Sequence, residues 1–98
     1  MQLGREYEVL LQKKSKKRIF LENVNAILLV VHNDEYDNQV NGIKHSYEDL
    51  ITTHLHSKIE GDKCMELFML KGEAGSVSSI TKDFQINKRM DTVKLVTL

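Results

Sequence analysis

The stretch ITTHLHSKIEGDKCMELFMLKG, residues 51–72, decides the fold, because it alternates in side-chain character on both sides of a turn. Residues 51–59 read as one strand, Glu60-Gly61-Asp62 supplies turn chemistry, and Lys63 to Lys71 returns as a second strand, which together predict a β-hairpin. Side chains two apart in a strand share a face, so His54 and His56 project together while Leu55, Ser57 and Ile59 point the other way. With Cys64 just after the turn and His45 upstream, three of the chain's four imidazoles and its single thiol gather in one short region. Such donors suit a late first-row divalent ion: imidazole serves nickel, copper and zinc, and thiolate moves selection further from magnesium or calcium.

Outward from the hairpin the periodicity changes. Upstream, VNAILLVVHND is a continuous apolar, β-branched run ending in Asn-Asp, which predicts a buried strand with a stop signal. Between that run and the hairpin, Tyr36, Val40, Ile43, Tyr47 and Leu50 recur at three- and four-residue steps. They predict a helix over 36–50 in spite of Gly42, a residue that costs roughly 1 kcal/mol against alanine inside a helix. Downstream, Gly72 and Gly75 end the second hairpin strand, and Ser76 is placed to cap a second helix in which Val77, Ile80 and Phe84 share a face. DTVKLVTL closes the chain as a last strand. The order β-α-β-β-α-β is the ferredoxin-like arrangement, an α+β fold with two helices on one face of a four-stranded antiparallel sheet. Its other face is bare, and strands as apolar as Ile27 to Val31 and Leu67 to Leu70 would make that face a patch larger than a soluble monomer tolerates. Burial against another copy is expected, with a symmetric homo-oligomer as the default.

At 98 residues the chain fits one domain, and 41% hydrophobic with 29% charged residues is the balance of a soluble globular protein. Apolar runs fall short of the roughly 18 residues a membrane span needs, the N-terminus lacks the order of a signal peptide, and one cysteine forms no internal disulfide. A cytoplasmic protein is expected, with no membrane partner. The net charge is zero, but residues 1–22 hold six Lys/Arg against three Glu, centred on Lys13, Lys14, Lys16, Lys17 and Arg18. Tyr7, Leu10 and Leu11 predict a helix over 5–18, so residues 1–22 read as a basic helical extension or linker ahead of a domain at 23–98. A run this short reads as a solvated surface in preference to a phosphate-binding one, and it has no aromatic interleaving for base stacking.

His45, the Asp49-Leu50 pair, the histidines of the hairpin and the block CMELFMLKG together resemble the C-terminal regulatory domain of the NikR family of nickel-responsive repressors. The resemblance covers residues 24–98. It implies an ACT-like, ferredoxin-type domain that assembles into dimers or tetramers and holds Ni2+ at a subunit interface through three histidines and one cysteine in a square plane. Carried over residue by residue, Cys64 is the thiolate ligand and His45 the histidine given by a neighbouring subunit. The histidine pair has two registers. Matching His54 and His56 requires two extra residues before Cys64, whereas counting back without gaps places the pair on His56 and Lys58. Slipping by two preserves the strand face, so His56 is a ligand candidate in both registers. The same resemblance implies that Glu66 pairs at the interface. DNA would be read only through a ribbon-helix-helix domain, which the 22 residues ahead of the core do not complete.

The reading is thus a nickel-sensing regulatory domain, with metal ligands drawn from His45, His54, His56 and Cys64. The alternative is a stand-alone ACT-like interaction module that has lost the metal and acts through a protein partner or small effector; Lys58 and a first helix shorter than the family's favour it. His32 reads as a structural or surface histidine, and Asp34, Glu35 and Asp37 as first-turn acids favoured by the helix dipole. No nucleophile with a base at fixed spacing, phosphate-cradling glycine loop or catalytic carboxylate pair is found, so an enzyme is not expected.

Overall fold

The computed structural model describes residues 6–10 and 22–98. Five strands, β1 (Glu6–Leu10), β2 (Asn23–Asn33), β3 (Ile51–Lys58), β4 (Lys63–Glu73) and β5 (Met90–Thr97), form one sheet with two helices, α1 (Asp37–Ser46) and α2 (Ala74–Gln85). Their order across the sheet is β1-β5-β2-β4-β3. From β2 onward the elements follow the expected β-α-β-β-α-β path, with β2 in the centre pairing antiparallel to both β4 and β5 and β3 pairing antiparallel to β4. This is the ferredoxin-like, four-stranded antiparallel arrangement. β1 adds a fifth strand, parallel to β5 from Glu6↔Thr92 to Leu10↔Val96.

The helix expected over 5–18 is therefore corrected at its start, and the remainder of it lies outside the described residues. Glu6-Tyr7-Glu8-Val9 alternates polar and apolar residues, a period of two that suits a strand once the edge of β5 offers its backbone groups. Two smaller expectations are also corrected. Gly72 lies inside β4 and Gly75 inside α2, so neither ends the strand. A Cβ at Gly72 would meet Leu50 Cδ1 at 2.6 Å, so the tip of the Leu50 side chain would have to shift to admit one. The cap of α2 is Glu73, extended at φ −64 and ψ 142 and without a side-chain cap bond, so the helix begins before Ser76 can act. The first helix ends at Ser46, with a turn over 47–50 in place of its last expected turn.

Alternation sorts each strand between two environments. Ala26, Leu28 and Val30 of β2, Phe68 and Leu70 of β4, and Val93 and Leu95 of β5 are buried under the helices with Val40, Val77, Ile80 and Phe84. The other face carries Ile27, Leu29, Val31, Met65 and Leu67 half-buried, with Met69 and Leu55 exposed. β2 looked fully buried in sequence because both of its faces are apolar, yet only one of them is covered within the chain. At the hairpin turn Gly61 takes φ 61, a left-handed conformation that favours glycine.

Candidate metal centre

The site is assembled at one end of the sheet, on the helix-covered face, by strand register. β2, β4 and β3 place their buried-face residues in rows: His32 is opposite Cys64, which is opposite Lys58; Val30 is opposite Glu66, which is opposite His56; and Phe68 is opposite His54. Apolar core gives way to polar groups within two rows. Asp37, in the first turn of α1, comes down over these rows from the helix layer.

Asp37, His56 and Cys64 each offer a ligand atom, and these atoms lie within 4.8 Å of one another. The environments differ. Cys64 is 1% exposed, and burial, reinforced by the Asp37 carboxylate, holds its thiol above the usual range. His56 is on the exposed side of the group and lies 3.5 Å from Glu66 Oε2. Asp37 Oδ1 is buried and has no hydrogen-bond partner among the described residues. A carboxylate oxygen, an imidazole and a thiol converging without bonding each other form a donor set that fits a borderline transition ion, provided the thiol gives up its proton.

Glu66 is the hub beside this group. It is 3% exposed and meets His32 Nε2 at 2.8 Å through Oε2 and His54 Nε2 at 2.5 Å through Oε1. His54 lies flat on Phe68, ring centroids 4.5 Å apart and planes 16° apart, and Phe68 in turn stacks on Phe84. The histidine is thereby fixed from below by the core and from the side by the carboxylate. His32 is fully buried, its Nδ1 2.8 Å from the carbonyl of Asn33.

Of the four residues singled out from sequence, the fold brings His56 and Cys64 together. His54 shares their strand face but is engaged by Glu66 and Phe68. His45 lies exposed at the end of α1, 2.6 Å from Glu48, away from the group within this chain. Lys58 is opposite Cys64, yet its ammonium turns outward to Asp34 at 2.7 Å, a contact that raises its pKa and keeps it charged. Asp37, His32 and Glu66 had no place as ligands in the sequence reading. The spacing from Asn33 to Asp37 across a helix start carried their one hint; the rest depends on which strands pair.

Comparison with known proteins identifies the family. The NikR C terminal nickel binding domain family matches residues 26–98. A protein of Methanococcus maripaludis provisionally named nickel-responsive regulator is 31% identical over 73 residues, covering 74% of this chain and 52% of that protein. One of Methanocella arvoryzae with the same provisional name is 30% identical over 79 residues, covering 79% of this chain and 56% of its own. The chain spans about half the length of these curated relatives. The solved structure of an uncharacterized protein from Thermotoga maritima superposes with a TM-score of 0.72 at 21% identity, over 79% of this chain and 99% of that one, and so shares the fold. The matched stretch runs through every element from β2 to β5, and on it the chain belongs to the family of the NikR C-terminal nickel-binding domain.

Proposed function

We propose that this domain senses nickel for a transcriptional regulator, with Cys64 and His56 as ligands, Asp37 completing the set within the chain and His45 supplied by a neighbouring subunit. The observation that carries the reading is the convergence of Asp37, His56 and Cys64 within 4.8 Å in a chain of this family. Asp37 takes the role left open by Lys58, whose ammonium is held on Asp34 and offers no lone pair. Glu66 and His54 act as positioning residues: the stacked His54 fixes the Glu66 carboxylate, which lies beside His56.

Residues of the start of α1, the β3–β4 hairpin and a second copy of the chain would together hold nickel, which would supply a common Lewis-acid centre for them. Sensing then has a physical meaning, since a ligand that favours one assembly shifts the population toward it by its differential affinity. The bare apolar sheet face is the surface proposed to join copies, as a dimer or tetramer. DNA contact is assigned to a ribbon-helix-helix partner domain and not to residues 23–98. The domain is read as a regulator and not an enzyme; among the described residues no helix is long and apolar enough to cross a membrane.

A nickel titration of the reduced, purified protein, followed in the thiolate-to-metal charge-transfer region, tests the proposal. A saturable band that Cys64→Ala lacks and Asp37→Asn weakens is expected. A flat titration would overturn nickel sensing and leave the metal-free interaction module as the reading.

A further inference from the structure

We propose that His32, Asp37 and Glu66 form a second divalent-cation site that takes an oxygen-favouring first-row ion such as Mn2+ or Fe2+. Their ligand atoms lie within 4.8 Å of one another, and this group lacks the thiol. The inference shares Asp37 with the nickel reading and takes as a ligand Glu66, which that reading places beside His56.

Three observations converge. The Asn33 carbonyl can only accept, so Nδ1 of His32 carries the proton of that 2.8 Å bond, and Nε2 is the ring atom turned toward the carboxylates. A histidine ligating through one nitrogen while the other donates to a backbone carbonyl is the usual arrangement at metal sites. Second, two carboxylate oxygens approach that Nε2: Glu66 Oε2 at 2.8 Å and Asp37 Oδ1 at 3.8 Å. The longer distance exceeds a hydrogen bond, but two ligands at about 2.1 Å from a shared ion can stand roughly 3 to 4 Å apart. Third, the Asp37 side chain is 47% exposed overall but its Oδ1 is buried with no hydrogen-bond partner among the described residues, while His32 is 0% and Glu66 3% exposed. A buried acceptor beside a buried carboxylate is costly unless a cation completes it. One imidazole and two carboxylates select toward manganese and iron, whereas the thiol of Cys64 selects toward nickel and zinc. His54 holds the far oxygen of Glu66 and so orients the carboxylate from outside the group.

Equilibrium dialysis of the full chain with Mn2+ and with Co2+ tests this. Cys64→Ala protein is expected to retain one Mn2+ per chain, and His32→Gln or Glu66→Gln to weaken that binding by at least about tenfold. With Co2+ the unaltered chain should take up two equivalents, one with a thiolate charge-transfer band and one without. Failure of Cys64→Ala to bind Mn2+, or binding unchanged in both His32→Gln and Glu66→Gln, would overturn the site and leave the triad as an ion pair. Should the His32 variant not fold, Cys64→Ala and Glu66→Gln still decide. Loss of the charge-transfer band with Mn2+ binding intact would sink the nickel reading and leave this one standing.

Discussion

Replacing Glu66 by alanine in metal-free protein should cost about 1–3 kcal/mol of folding stability, the penalty for leaving a buried hydrogen-bonding group without its partner. The structure says why the cost is high. His32 has no exposed surface, and its Nε2 lies 2.8 Å from Glu66 Oε2. His54, 17% exposed, can turn to solvent and adds only about 0.5–1 kcal/mol, the net value of an ordinary hydrogen bond. Against a total stability of about 5–15 kcal/mol for a domain, the loss is large. Urea unfolding at fixed chain concentration should show the midpoint falling by about 1 M with the slope unchanged. The double variant His32→Leu with Glu66→Leu removes both polar partners and should lose less than Glu66→Ala alone. A loss under about 1 kcal/mol for Glu66→Ala, or a double variant less stable than the single, would refute the reasoning.

Two further outcomes are expected. The Tyr47 hydroxyl donates to Asp83 Oδ2 at 2.6 Å, and that bond, with burial and the Asp83 charge, pushes its ionisation from 10.0 to about 12. The folded chain thus keeps a proton that the unfolded chain releases near its ordinary value, so this contribution is whole below pH 10 and is lost as pH rises to about 12; Tyr47→Phe should remove that slope from a stability–pH curve. Lys58→His places an imidazole opposite Cys64 and frees Asp34, and competition titration should show nickel binding tighter by on the order of tenfold, about 1.4 kcal/mol; unchanged affinity would mean that position 58 does not reach the ion.

The architecture was readable because local signals agreed with tertiary placement. The β-branched run of β2, the Gly61 turn and the three- and four-residue spacing through Val40 each specify one element, and together they specify the order. Strand β1 was missed because EYEVL is short enough to fit either period, and only the edge of β5 selects the strand. The site was half legible. His56 and Cys64 are joined by a hairpin, a contact that alternation predicts, whereas His32 reaches Glu66 through the β2–β4 pairing and Asp37 through the seating of α1, neither of which has a local signature. Glu66 was expected at an interface by resemblance alone, and the pleat places it on the buried face with Cys64 and Phe68.

The metal groups lie where two short connections meet, the turn from β2 into α1 and the turn of the β3–β4 hairpin, tied by the Asp34 amide donating to the Asp62 carbonyl at 2.8 Å. Beyond that rim lies the apolar core, entered at Phe68, on which His54 stacks, and continuing to Phe84. On the proposed assignment, changes at positions 37, 56, 58 and 64, outside the apolar core cluster, would retune which ion is recognised while the scaffold persists. Ion selectivity in such a domain would then be set apart from its fold.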